Sequence, residues 1–575
     1  MSEEHFDAVV VGSGFGGSVV AYRLAEAGLR VCVLERGRIY PPGSFPRSPY
    51  RMRRAFWDPS EGLYGMFNVW SFRHFGAVIS SGLGGGSLIY ANVMLRKPPE
   101  TFVKEEPGAG YYEHWPVTYD ELEPHYERAE RMLGAQAYPF EHEPYNRTPR
   151  TRAVVEAADR LGLPWTLPKQ AVTFGVEGQP PVPGEPILGE PENIHRRTRS
   201  TCRLVGECDI GCNYGSKNTL DYNYLSAAWR LGADLRWLHE VRGFAPRDAG
   251  GYTVHYVVHD AGREDRPLRT QDPRVMPVKS VTADRLILSA GTLGSTFLLL
   301  RNRRAFPALS PALGTRFSGN GDLLTLAIKP THTLRGRRIA RPIEGGVGPA
   351  ITVAIPFPAL TGESGPDGSP PVGEFYLEDA GYPDLLNWMM QTTGLAGALW
   401  RWRHIGWRLL LGRLTGKAET DLSAELAALL GSTELSAGML PLLGMGRDVA
   451  DGRMVLRGER LEVDWRMDRS APYFRRVRGE MERFARALGA TFADNPMWHM
   501  GRRVVTVHPL GGCPMGRDAR EGVVDPRGQV FGYPGLYVAD GSVMPGPVGP
   551  NPSLTIAAIA DRFADGIIDS VRASA

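Results

Sequence analysis

Phe6-Asp7-Ala8-Val9-Val10-Val11-Gly12-Ser13-Gly14-Phe15-Gly16-Gly17 is the stretch whose reading decides the fold. A short apolar run of β-branched type reads as a strand, the glycines as a tight turn, and Ser18 to Ala27 as a helix. Only glycine lets the backbone turn tightly at Gly12, approach a pyrophosphate at Gly14 and pack helix on sheet at Gly17. Phe15 and Gly16 lie in the same turn, where the helix N-terminus faces the phosphates. A second strand, Arg30-Val31-Cys32-Val33-Leu34, ends at Glu35, roughly 20 residues on, where a carboxylate bonds a ribose hydroxyl. That acid argues against a 2′-phosphorylated cofactor by charge repulsion, while Arg36 next to it leaves NADP open.

Outward from this fingerprint, Ser81 to Asn92 is a second glycine-rich loop (SGLGGGSLIYAN). Its small residues, with Gly82, Gly85, Gly86, Ser87 and Asn92 as the candidates, would let backbone amides approach a flat ring; a flexible linker is the alternative. Arg285 to Leu288 reads as a buried strand entering the Ser289-Ala290-Gly291 turn, and Leu536-Tyr537-Val538-Ala539-Asp540-Gly541 as another. Both fit a dinucleotide domain assembled from separated segments.

Near the C-terminus stand His508-Pro509-Leu510-Gly511-Gly512-Cys513 and Val548-Gly549-Pro550-Asn551-Pro552. A neutral imidazole accepts a hydroxyl proton, or a hydrogen bond from it, and a carboxamide donates to the same oxygen. Together they can hold an alcohol, although alone a loop histidine or an Asn-Pro turn is ordinary.

The fingerprint, the Gly82 to Asn92 loop, Trp115-Pro116-Val117-Thr118-Tyr119 with its Glu-rich helix, the Ser289-Ala290-Gly291 turn and the His508/Asn551 pair resemble the glucose-methanol-choline (GMC) oxidoreductases. The His-Pro-Leu-Gly-Gly-Cys loop is most similar to the cholesterol oxidase branch. The resemblance implies FAD, held by the fingerprint and second-loop residues with Glu35, Gly291, Asp540, Gly541 and Pro552, and with Val241 near the adenine. It implies an α/β fold, a Rossmann-like FAD-binding domain interleaved with a sheet-and-helix substrate domain. Residues 1–314 would be mainly FAD-binding (1–45, 75–100 and 200–310), residues 315–500 substrate-binding, and 501–575 a return to the FAD domain and active site. It further implies that His508 and Asn551 hold the substrate oxygen, that His508 or Glu378 takes the proton, and that flavin N5 accepts a hydride. Glu374 competes with Glu378 for the role of base. His74, ahead of the glycine loop, is a weaker candidate for covalent flavin attachment than for an ordinary loop residue.

The 575 residues carry a formal net charge of +3, with 42% hydrophobic and 22% charged residues. That is the composition of a globular protein, and without a long Lys/Arg run it gives no case for nucleic acid. The N-terminal Met-Ser-Glu-Glu-His-Phe-Asp shows no signal peptide, so the expected location is cytoplasmic. Leu385 to Leu414 interleaves tryptophan and arginine; it reads as a basic interfacial helix giving peripheral membrane contact, or as a lid packed on its own protein.

Of five cysteines, Cys202, Cys208 and Cys212 share one segment with C-x5-C-x3-C spacing. Thiolates suit iron–sulfur clusters and zinc, and three are one short of a closed zinc or ordinary [4Fe-4S] site, although a [3Fe-4S] cluster needs only three. The segment is similar to one in flavin-dependent glucose dehydrogenases that carry such a cluster; free thiols are the other reading. The function expected is therefore oxidation of a hydrophobic, sterol-like secondary alcohol to a ketone. The alternatives are a dehydrogenase passing electrons through the cluster to a cytochrome or quinone, a non-catalytic flavoprotein or lipid-binding protein, and flavin photochemistry on a fatty acid. The His508/Asn551 pair favours alcohols.

Overall fold

The strand His5–Val11 lies inside a seven-stranded sheet, with Val31–Leu34 parallel on one side and Lys279–Leu288 parallel on the other. This computed structural model describes residues 4–574 apart from 107–110, 177, 262–271, 273, 361–371, 384–437, 496–497 and 499–502. The Trp/Arg-rich stretch 385–414 lies outside the described residues.

Ala8 to Val11 and all of Val31–Leu34 are buried, as expected of strands covered on both faces. Asp234–Arg236 extends the sheet in parallel beyond Val31–Leu34. The long strand Lys279–Leu288 takes two partners along its far edge. Tyr252–Val258 pairs antiparallel with its first half, and Leu536–Val538, from the end of the chain, pairs parallel with Leu286 to Leu288. The C-terminal segment therefore enters the nucleotide sheet and sets Asp540 beside Gly291, whose N–H it accepts at 2.9 Å. Helices Phe15–Glu26 and Ser553–Ser574 pack together over this sheet and share its core.

A second, five-stranded antiparallel sheet runs in the order Ala354–Phe357, Phe375–Asp379, Met439–Gly446, Leu323–Ile328, Thr491–Asp494. The amphipathic helix Ala471–Ala487 buries Phe474, Val477, Met481 and Phe484 against it. A small third sheet joins Phe67–Ser71, Phe75–Ser80 and Val504–Thr506, and so brings the chain approaching His508 beside the strand approaching the second glycine loop. The Glu-rich helix is Tyr119–Met132, opened by a capping box in which Thr118 and Glu121 exchange hydrogen bonds. Among the described residues no helix is long and apolar enough to cross a membrane.

Candidate active site

A cavity of about 750 Å³ is lined by both glycine loops, by the Ser289–Gly291 turn, and by His508 and Asn551. The glycines in and around it divide into two sets. Gly12 has φ +95°, and an added Cβ there would lie 2.3 Å from the Ser289 carbonyl oxygen. At Gly16 and Gly17 the added atom would come within 1.6 Å of the Ala539 oxygen and 2.1 Å of the Gly12 oxygen. These three let the helix, the turn and the C-terminal strand touch. Gly14, Gly86 and Gly291 line the cavity, and an added Cβ on any of them would meet nothing within 4 Å. Backbone bared toward a cavity, beside the start of the helix Phe15–Glu26, is what a pyrophosphate requires.

Glu35 closes the strand Val31–Leu34, lines the cavity, and accepts from Ser13 N (3.1 Å), Ser13 Oγ (2.8 Å) and Gly37 N (2.8 Å). Asn92 is fully buried at φ +70° on the cavity wall, and among the described residues neither its amide oxygen nor its nitrogen has a hydrogen-bond partner. A buried carboxamide with both ends unpaired fits a wall built for a polar ring system. Phe15, Gly85, Val241, Asp540, Gly541 and Pro552 also line the cavity. Gly17, Gly82 and Ser87 do not. The Gly82 oxygen accepts from Gly85 N, and Ser87 Oγ donates to the Gly84 oxygen at 2.7 Å, so both hold the loop's own shape. Asp540 accepts from Gly291 N and Ser295 Oγ on one oxygen and from Ser542 on the other; burial raises its pKa against those bonds. Taken together, the bared glycines, Glu35 and the unpaired Asn92 fit FAD.

His508 lines the same cavity, and its Nδ1 donates to Asp322 Oδ1 at 2.8 Å. The other Asp322 oxygen accepts from Thr506 Oγ1 (2.9 Å), Val507 N (2.8 Å) and His508 N (3.2 Å). A carboxylate only accepts, so Nδ1 carries a proton, and in the neutral imidazole that leaves Nε2 as the acceptor. Asp322 escaped the sequence reading because it is 186 residues from its partner.

Asn551, which lines the same cavity, donates from Nδ2 to Glu378 Oε2 at 3.4 Å. Glu378 is the fourth residue of Phe375–Asp379 and is fully buried. Burial pushes its carboxyl up to about 8; the Asn551 bond opposes this, and Asp379 and Asp322 add to it. That shift favours the protonated form at neutral pH. Glu374 instead pairs with Arg447 at 3.3 Å, Arg447 also binds Glu113 at 2.8 Å, and Glu374 is not among the cavity-lining residues. His74 is not among the cavity-lining residues.

Cys202 is buried, Cys208 and Cys212 are half-buried, and all three are free thiols. Burial raises Cys202 and Cys208 above the ordinary thiol value. The three sulfurs do not all lie within 4.8 Å of one another, so among the described residues they form no set that one ion bridges.

Residues 470–560 match the GMC oxidoreductase family, and residues 10–41 match the NAD(P)-binding Rossmann-like domain. A cholesterol oxidase of Mycobacterium tuberculosis is 31% identical over 97% of this chain and 90% of its own. A cholesterol oxidase of Acinetobacter baumannii is 28% identical, covering 97% and 93%. Among solved structures, formate oxidase of Aspergillus oryzae superposes with a TM-score of 0.58 at 15% identity, covering 100% of both chains. The chain belongs to the GMC oxidoreductase family. It is an FAD-dependent oxidoreductase that acts on CH–OH groups.

Proposed function

We propose that this protein oxidises a hydrophobic secondary alcohol of sterol-like shape to the ketone. The observation that carries the reading is that His508, whose Nδ1 is taken by Asp322, and Asn551 line one and the same cavity. Phe67, Trp70, Ile79, Phe297, Leu324 and Val505 add apolar surface to the lining. A sugar would leave its hydroxyls unpaired against them, whereas a fused-ring alcohol would not. The relatives named for cholesterol support the same class.

In this reading the hydroxyl O–H bond breaks and its proton passes to His508 Nε2, with Asn551 orienting the oxygen. Bound flavin supplies the acceptor for the hydride that leaves the carbinol carbon as the C=O bond forms. The resulting imidazolium faces the Asp322 carboxylate, which offsets its charge. Glu378, protonated, holds Asn551 rather than acting as the base. Anaerobic bleaching of the flavin with a sterol, a long-chain fatty alcohol and a sugar in parallel tests the class. Bleaching by the sugar alone would discard it.

A second reading is a dehydrogenase that passes electrons onward through a [3Fe-4S] cluster on Cys202, Cys208 and Cys212. It is favoured by one observation, that Asp209, beside Cys208, lines the cofactor cavity. Iron and acid-labile sulfide in the purified protein, with little peroxide formed under air, would support it. Peripheral membrane contact through 385–414 is a further part of the proposal, tested by co-sedimentation with anionic vesicles.

A further inference from the structure

We infer that the turn Ser318–Asp322 is one positioning element that aims both polar side chains at the substrate oxygen; this rests on the reading of His508 and Asn551 above. Its last residue, Asp322, holds the His508 ring. Two residues earlier, Asn320 grips the segment that carries Asn551. Asn320 Oδ1 accepts from Gly549 N at 3.0 Å, and Nδ2 donates to the Gly549 and Pro550 oxygens at 3.3 and 3.1 Å. Side chains from opposite ends of the catalytic pair are thus tied to two positions of a single turn.

The turn is itself fixed from every side. Ser318 N and O pair with Leu510, two residues beyond His508, at 3.1 and 2.9 Å. Asp448 accepts from Ser318 Oγ and Gly319 N, Tyr473 Oη donates to the Gly321 oxygen, and Gly446 N donates to the Asn320 oxygen. Asn320 sits in the left-handed region at φ +53°, which asparagine tolerates better than most residues. Ser318, Asn320 and Asp322 are all buried, so solvent does not compete for these bonds. Among the described residues, the titratable groups around Asp322 include His508, Glu378, Asp448 and Tyr473.

The chemistry makes Asp322 specific rather than merely structural. An amide at this position can present an N–H to Nδ1 and turn the ring to the Nε2–H form, which has no lone pair for the hydroxyl. Reversing a tautomer behind a catalytic imidazole costs up to about 10⁴-fold. Asp322→Asn should therefore lower kcat by about 10²- to 10⁴-fold with KM changed less than about threefold. FAD content should not change. Added to His508→Ala, the same substitution should cost nothing further, because the two act as a unit.

The readout independent of activity is ¹⁵N NMR of histidine-labelled holoenzyme, with the His508 signals assigned by their loss in His508→Ala. The expected result is Nδ1–H in the wild type and Nε2–H in Asp322→Asn. An Nε2–H ring in the wild type overturns the inference even if the variant fails to fold. So does Asp322→Asn turning over within about threefold of wild type while His508→Ala is crippled. Near-normal turnover in His508→Ala overturns the underlying reading of the site instead.

Discussion

Asn551 and Glu378 meet across 3.4 Å in the protein interior, and among the described residues Asn551 Oδ1 and Glu378 Oε1 have no hydrogen-bond partner. Because Glu378 keeps its proton at neutral pH, the pair is a neutral acid against a neutral amide. Glutamine can replace a neutral acid at little cost. Glu378→Gln should therefore keep turnover at pH 7 within about tenfold of wild type, whereas Asn551→Ala should lower it by about 10²-fold or more. A loss in Glu378→Gln as deep as that of His508→Ala would make Glu378 the base and remove His508 from that role.

The same carboxyl links stability to pH. Folding raises it from 4.5 to about 8, so between these values the folded chain holds a proton that the unfolded chain has released. Raising the pH then favours unfolding. The contribution is fully present below about 4.5 and is lost as pH climbs to about 8, with an upper bound on the order of 5 kcal/mol. Melting temperatures of the wild type should fall across this window more steeply than those of Glu378→Gln. Parallel curves would show that Glu378 ionises normally in the folded protein.

The two sets of glycines predict opposite failures. Gly16→Ala places a Cβ 1.6 Å from the Ala539 backbone oxygen, which no side-chain motion relieves, so the variant should be poorly folded. Gly14→Ala meets only cavity, and its φ of −72° suits alanine. Its apoprotein should melt within a few degrees of the wild-type apoprotein, while FAD affinity falls by about tenfold or more, read by flavin content after dialysis. Full flavin retention in Gly14→Ala would move the cofactor away from this turn.

How much of this was legible in the sequence depends on how far apart the partners lie. Strand, turn, helix and acid from Phe6 to Glu35 are local, so propensity and spacing reveal them. The strand Leu536–Val538 and the Ser289–Gly291 turn could be read singly as buried strand ends, although their hydrogen-bonded neighbourhood could not. His508 and Asn551 carry recognisable surroundings, but Asp322 and Asn320 sit in a glycine-rich turn that reads as an ordinary loop. Their roles arise only when the chain folds back over 186 residues for Asp322 and 229 for Asn320. Gly82 and Ser87 illustrate the converse: composition marks the loop for a cofactor, while steric detail decides which of its residues face the cavity and which support the turn.

Behind Glu378 lies a buried charge whose removal should be felt. Arg150 is fully buried, and its Nε meets Asp379 Oδ2 at 3.0 Å while Nη1 donates to the Ala350 oxygen at 2.8 Å. Asp379 also accepts from Thr352 N (2.8 Å), Thr352 Oγ1 (2.7 Å) and Val353 N (2.7 Å), which locks its strand to the segment entering Ala354–Phe357. Arg150→Met would leave that carboxylate buried opposite an apolar chain, a change that costs about 3–5 kcal/mol. Combining it with Asp379→Asn should recover most of the loss, since a neutral pair carries no desolvated charge. Chemical denaturation of both variants and the wild type, compared by midpoint, checks the argument. A single variant as stable as wild type would mean that water reaches this ion pair and that the interior beside Glu378 is less dry than its raised pKa implies.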